Sequence, residues 1–217
     1  MNGDKHHLLR RMRLYALVTE AHCRHPWRET AQMLIEGGVD AIQLREKNLS
    51  DSELLKRAWE LRQMTRRTDV LFIVNDRLDV AMLSGADGVH LGQDDLPPED
   101  VRRVVGRRLI IGLSTHSPEQ AEDALFRGAD YVGVGPVYRT ETKGYAEGGG
   151  PEFVARMCAA TPLPTVAIGG ITPDNAREVV EAGAQAVAAC AALCGADDPR
   201  AAAQAFLKAI RRDEAQR

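Results

Sequence analysis

Apolar residues gather along this chain in eight short runs: Leu14 to Thr19, Asp40 to Leu44, Leu71 to Val74, Gly88 to Leu91, Leu109 to Leu113, Tyr131 to Val134, Thr165 to Ile168 and Gln185 to Ala189. Each has the length of a strand, and most are apolar throughout, as strands buried on both faces are. Between them the apolar positions take a helical period. Asp51 to Arg66 puts Leu54, Leu55, Ala58, Leu61 and Met64 on one face and follows Ser50, a residue suited to capping a helix start. Ser117-Pro118 and Thr172-Pro173 are likewise suited to helix starts. Four stretches read as helix ends: Glu36-Gly37-Gly38-Val39-Asp40, Ser84-Gly85-Ala86-Asp87, Arg127-Gly128-Ala129-Asp130 and Glu181-Ala182-Gly183-Ala184. In each a glycine can take the left-handed conformation that stops a helix.

Strand and helix therefore alternate, and eight such units predict an α/β fold, a single (β/α)8 TIM barrel. The expected domain runs over residues 13–217, behind a flexible leader over 1–12. An open doubly wound sheet is the competing arrangement. It normally carries a glycine-rich turn after its first strand, whereas Thr19-Glu20-Ala21-His22 has no glycine. The barrel directs attention to the carboxyl ends of the strands, where such folds place their chemistry.

Composition narrows the classes. With 217 residues, 44% of them hydrophobic, the chain can build one sizeable core. Net charge is −3, from 28 Lys and Arg against 31 Asp and Glu, so no global basic field exists to hold nucleic acid or an anionic membrane. Phosphate chemistry must come from local clusters. The segment Met1 to Arg13 has only Leu8-Leu9 as an apolar pair, which is no signal-peptide core. Ala186 to Cys194 is about half a membrane span. A soluble, cytoplasmic protein is expected. The four cysteines read as reduced thiols: Cys190-x-x-x-Cys194 is a poor metal spacing, and Cys158 lies in an amphipathic helix. His22, Cys23 and His25, just before Pro26, read as a loop, and His6 and His7 in the leader are given no function.

Charged and polar residues then stand where strands end. Gln43, Arg45 and Lys47 alternate by two, so all three point one way on an extended segment while Leu44 and Glu46 point the other. Two cations and an amide suit one phosphate-bearing anion, the guanidinium gripping two oxygens as a fork. Asn75-Asp76 and Asp94-Asp95 follow two neighbouring strands, and paired carboxylates beside a diphosphate suit magnesium. Asp76 as a helix cap, and Asp94 or Asp95 as turn residues before Pro97-Pro98, are the structural alternatives. Ser114 can donate to a leaving-group oxygen. His116 has no carboxylate partner near it in sequence and reads as a loop or helix-start residue. The glycine-rich stretch Gly144 to Gly150 is either a lid or simply a mobile loop. Ile168-Gly169-Gly170-Ile171 and the segment after the eighth strand stand where many barrels bind a monophosphate.

Six motifs in order resemble the thiamine-phosphate synthase family over nearly all of the chain. They are Gln43-Leu44-Arg45-Glu46-Lys47, Asn75-Asp76, Ala86 to Asp95, Gly112-Leu113-Ser114, Gly135 to Lys143 and Ile168-Gly169-Gly170-Ile171. The resemblance implies that a hydroxymethylpyrimidine diphosphate and a hydroxyethylthiazole phosphate are joined, with Mg²⁺, to give thiamine phosphate and diphosphate. It further implies that Gln43, Arg45, Lys47, Asn75, Ser114 and Lys143 hold the pyrimidine diphosphate. Of these, Arg45, Lys47, Ser114 and Lys143 would stabilise the departing group. Asp76 and Asp95 would hold Mg²⁺, with Asp94 the lesser of its pair. Thr140, Thr142, Gly170 and the Cys190-Ala191 segment would hold the thiazole phosphate. Ala191 departs from the family, which usually has Ser there after a branched aliphatic residue. Family members often self-associate, so the resemblance leaves a homo-oligomer open, although no apolar stripe in the sequence assigns an interface. Two other readings stand beside this one: a thiazole tautomerase using His116, and a non-catalytic phosphate-binding barrel. Neither needs the diphosphate clamp.

Overall fold

The computed structural model describes residues 5–139 and 148–211. Eight parallel strands close into a barrel in sequence order: β1 (Leu14–Val18), β2 (Ala41–Leu44), β3 (Leu71–Asn75), β4 (Gly88–Leu91), β5 (Ile110–Thr115), β6 (Tyr131–Val134), β7 (Thr165–Ile168) and β8 (Ala186–Ala189). The closing pair β1 and β8 sets Leu14 beside Val187 and Ala16 beside Ala189. Helices α1 (His6–Arg11), α2 (Trp27–Glu36), α3 (Asp51–Thr65), α4 (Leu78–Ser84), α5 (Pro98–Val105), α6 (Pro118–Phe126), α7 (Gly150–Ala160), α8 (Ala176–Glu181), α9 (Ala191–Cys194) and α10 (Pro199–Ala209) complete the order. Among the described residues no helix is long and apolar enough to cross a membrane.

The expected starts and stops are largely realised. Ser50 accepts a hydrogen bond from Glu53 N, and Ser117 accepts one from Gln120 N. Gly38, Gly85, Gly128 and Gly183 all have positive φ. Thr172-Pro173 does not open a helix: α8 begins at Ala176. Asn175 explains the delay, because its Oδ1 accepts from Thr172 N at 2.8 Å and its Nδ2 donates to Gly170 O at 3.1 Å, closing a turn first. The leader also departs from expectation, since residues 6–11 are helical. Leu9 and Met12 are buried at the amino-terminal end of the barrel, and Gln185 Nε2 donates to Leu9 O at 2.8 Å. These contacts are tertiary and had no periodic signal in so short a segment.

Strand alternation separates two apolar layers. Leu14, Ala16, Val18, Ile42, Phe72, Val89 and Val132 pack outward with the helices. Tyr15, Leu17, Ala41, Leu71, Ile73, Ile110, Tyr131, Val166 and Ala188 fill the interior with Leu9 and Met12. Asp40, Asp87 and Asp130, each just ahead of an even-numbered strand, accept hydrogen bonds from Leu14 N, Phe72 N and Ile111 N at 3.0, 2.9 and 2.8 Å. Each carboxylate thus pins the start of the preceding strand, which explains the recurring Asp in the helix-end signature. Large apolar side chains also reach the surface on α3 to α6. Trp59, Leu83, Val104 and Phe126 are among them, so an apolar surface exists that the sequence pattern did not reveal.

The interior has no spare volume at β5. A Cβ at Gly112 would overlap the Tyr131 ring and come within 2.5 Å of His90 Nδ1. Gly112→Ala is expected to destabilise the fold by about 1–3 kcal/mol, as overpacked cores do. Urea titration measures this, and an unchanged midpoint would show that the interior can yield.

Candidate active site

The carboxyl ends of the strands open onto a cavity of about 600 Å³. Arg45, Ser114, His116, Gly170, Cys190 and Ala191 line it, with His22 and Arg139 also in the wall. Beneath lies a recess of about 30 Å³ bordered by Gln43, Asn75 and His90 together with Arg45 and Ser114. Four site residues expected from sequence, Gln43, Arg45, Asn75 and Ser114, therefore converge from three strands and a strand end. Gln43 and Arg45 face the same way, as alternation requires. Gln43 is nevertheless only 2% exposed and donates through Nε2 to Tyr15 Oη at 2.7 Å, one layer deeper than an amide reaching for a solvated anion.

Lys47 turns to Asp76, with Nζ 3.0 Å from Oδ2. Asp76 is the one non-glycine residue with positive φ, at 60°, among the described residues. Asp has a short polar side chain that tolerates this region. Asp76 is no helix cap, because the cap position of α4 is Arg77. Burial raises the pKa of the Asp76 carboxyl, neighbouring Asp95 raises it further, and Lys47 opposes the shift. Asp95 keeps part of its alternative role: Oδ2 accepts from Gly92 N at 2.6 Å, closing the turn after β4. Asp94 is exposed. Two carboxylates brought together at a cost to ionisation make a hard oxygen donor set, which a divalent cation relieves. No group of three His, Cys, Asp or Glu residues is gathered for a metal among the described residues. The carboxylate pair therefore fits an ion that takes its other ligands from phosphate and water.

On the opposite wall, Val137 N donates to Ile168 O at 3.0 Å and Tyr138 N to Gly169 O at 2.9 Å, joining the segments after β6 and β7. Gly170, at φ +64°, would bring a Cβ within 2.5 Å of Arg139 O. Its close approach is thus to backbone of the neighbouring segment. Cys190 is buried and Ala191 exposed at the cavity edge. Thr140, Thr142, Lys143 and the stretch 144–147 lie outside the described residues.

Glu46 turns away from the cavity, as alternation predicts, and its carboxylate is held from three sides. Arg57 Nη1 lies 3.1 Å away, Glu20 N donates at 2.8 Å, and Thr19 Oγ1 donates at 3.4 Å. Arg57 also reaches Glu20 Oε2 at 2.7 Å and lies over the Trp27 ring. This cluster fixes the backbone that carries Arg45 and Lys47.

Three polar residues of the interior had no assigned role: Tyr15, His90 and Tyr131. Tyr15 Oη is 3.1 Å from Tyr131 Oη, Tyr131 Oη is 2.9 Å from His90 Nδ1, and His90 Nε2 is 2.9 Å from Ser114 Oγ. Their strands look apolar, which hid them. The available signal was parity: each sits at an inward position of β1, β4 or β6, in step with Leu17, Gly88 and Gly133.

Comparison with known proteins is consistent along most of the chain. The family described as "Thiamine monophosphate synthase" matches residues 14–193. A thiamine-phosphate synthase of Shouchella clausii is 43% identical over 202 residues, covering 91% of this chain and 96% of that protein. One from Pelotomaculum thermopropionicum is 45% identical over 187 residues, 86% of either chain. The solved structure of thiamine phosphate pyrophosphorylase from Pyrococcus furiosus superposes with a TM-score of 0.86 at 39% identity, covering 94% of this chain and 97% of that one. A 3-hexulose-6-phosphate synthase, at 20% identity and a TM-score of 0.72, shares the barrel alone. By fold and by sequence over most of its length, the chain belongs to the thiamine monophosphate synthase family.

Proposed function

We propose that this site joins a hydroxymethylpyrimidine diphosphate to a hydroxyethylthiazole phosphate, releasing diphosphate and forming thiamine phosphate, with Mg²⁺ held by Asp76 and Asp95. The observation that carries the reading is the meeting of Arg45, Ser114, Gln43 and Asn75 at one recess, beside a carboxylate pair with Lys47. When bound, Mg²⁺ supplies positive charge to the leaving diphosphate. Arg45 offers the fork that orients it, Lys47 exchanges Asp76 for a phosphate oxygen, and Ser114 donates a hydrogen bond to it. Lys143 adds a further cation on the same reading. The thiazole nitrogen is neutral and attacks a carbon that the electron-rich pyrimidine renders cationic, so no strong base is required. The protein's work is alignment of two rings and stabilisation of departing charge.

Gly170, Thr140, Thr142, Cys190 and Ala191 hold the thiazole phosphate on this reading. At Ala191 the family's usual serine hydroxyl is missing, and one hydrogen bond to a charged group is worth roughly 1.5–3 kcal/mol. Ala191→Ser is expected to lower KM for the thiazole phosphate with kcat little changed. An unmoved KM would remove the phosphate from this corner.

The deciding assay gives purified protein both substrates, with and without Mg²⁺, and follows diphosphate together with thiamine phosphate. Equal, Mg²⁺-dependent appearance of the two products is expected. No release, with solvent-proton exchange into the thiazole phosphate, would turn the assignment to a tautomerase.

A further inference from the structure

We infer that Tyr15, Tyr131 and His90 form a one-way hydrogen-bond chain that sets Ser114 as a donor toward the ligand, its direction fixed at the far end by Gln43. The inference deepens the proposed function and rests on it for the identity of the ligand. Four contacts of 2.7 to 3.1 Å run across the barrel interior from β2 to β5: Gln43 to Tyr15, Tyr15 to Tyr131, Tyr131 to His90, and His90 to Ser114. Each hydroxyl has one proton to give, and a neutral imidazole donates from one nitrogen and accepts at the other. Direction therefore propagates from end to end.

Gln43 decides it. Its Nε2 carries only donors, so Tyr15 Oη accepts from it. The Tyr15 proton then goes to Tyr131 Oη, the next polar atom along, and the Tyr131 proton goes to His90 Nδ1. His90 is thereby the tautomer protonated at Nε2, which donates to Ser114 Oγ. The Ser114 proton faces the cavity with the ligand as its acceptor. Rotating the Gln43 amide by half a turn reverses every link and makes Ser114 Oγ–H donate to His90 instead, away from the ligand.

Two observations favour the forward direction. Gln43 Oε1 is buried and has no hydrogen-bond partner among the described residues, and Gln43 borders the recess. A lone buried acceptor there calls for an N–H from whatever enters, because a buried acceptor left unmet destabilises the site. The ring amino group of an aminopyrimidine supplies such a donor. Recognition of that amino group at Gln43 Oε1 leaves Nε2 on Tyr15 and so orients Ser114 Oγ–H toward the diphosphate. Burial also pushes the ionisation of both phenols well above the usual tyrosine range. They remain O–H donors at any working pH, and no proton leaves the chain. Tyr15 and Tyr131 are thus positioning residues, acting on substrate through Gln43 and Ser114.

The test is ¹⁵N NMR of the histidine rings in the whole protein bound to hydroxymethylpyrimidine diphosphate without the thiazole partner, alongside steady-state kinetics of Tyr131→Phe. The expected spectrum has His90 protonated at Nε2 and bare at Nδ1. Tyr131→Phe keeps the ring but cuts the chain. It is expected to lose the single tautomer and to lower kcat by about tenfold to a hundredfold, with KM for the pyrimidine diphosphate within about twofold, less than removal of a whole donor costs because the Ser114 hydroxyl remains and only its orientation is lost. A proton on Nδ1 in the parent complex would overturn the inference, as would parent-like kcat in Tyr131→Phe. Should that variant not fold, the parent spectrum alone decides. Should the protein bind the pyrimidine diphosphate with the expected tautomer yet form no thiamine phosphate, the proposed reaction fails and the chain's direction stands.

Discussion

Asp76→Asn is expected to cut turnover by on the order of a thousandfold while leaving the metal-free protein at least as stable as its parent. The loss follows from the charge a divalent ion supplies to a departing diphosphate, worth several kcal/mol of transition-state stabilisation. Stability moves the other way because Asp76 is held against its own ionisation, chiefly by burial and then by Asp95. A carboxyl whose folded pKa is raised binds its proton more tightly in the folded state. Stability contributed by that proton is full below the ordinary value of 3.8, declines as pH rises toward the raised value, and is gone above it. Above that raised value the folded parent carries the full penalty, which Asn removes. Asn also tolerates the left-handed backbone at this position, and Lys47, with its side chain 56% exposed, is left to solvent at little cost. Thermal melts with and without Mg²⁺ provide the check. Mg²⁺ should raise the parent's melting temperature and leave that of the variant unmoved. Parent-like turnover in Asp76→Asn would remove this carboxylate from metal binding, and a lower metal-free melting temperature would refute the account of its ionisation.

Arg57→Ala should be the most damaging single change outside the cavity. It leaves Glu46, with 10% of its side chain exposed, without its guanidinium partner. Breaking a buried pair from one side costs about 3–5 kcal/mol, and for a chain of this size that lowers the melting temperature by on the order of 10 °C. The damage also reaches function, because Glu46 stands between Arg45 and Lys47. KM for the pyrimidine diphosphate should rise even at temperatures where the variant is folded. Converting both partners to Met is expected to restore most of the stability, since no lone charge then remains buried. If Arg57→Ala alone costs less than about 1 kcal/mol, the cluster is a surface ornament and not a support for the clamp.

Eight strands were legible because strands buried on both faces are apolar without interruption, and β4, β6 and β7 fall on the expected residues. The inward alternation of Gln43 and Arg45 and the outward turn of Glu46 were legible for a simpler reason, the two-residue period of a strand. What could not be read was anything decided by distant partners. α1 is short and polar on its surface, and its order depends on Gln185. The start of α8 is displaced by an Asn side chain that reaches back to Gly170. Tyr15, His90 and Tyr131 lie far apart in sequence, on strands where a phenol or imidazole passes as one more core residue. Their shared face emerges only once the barrel is closed.

The placement of α1 bears on how the chain is made. Leu9 O is met by a side chain 176 residues further on, while Lys5 pairs with Asp87 and His6 with Asp130. Ribosomes add roughly 5–20 residues per second, so α1 waits about 9–35 s for the residues that receive it. Through that interval Leu9 and Met12 are apolar side chains without a floor to sit on. A segment made long before its partner is among the last to be secured, and a nascent chain stalled before β8 would present α1 to chaperones and proteases.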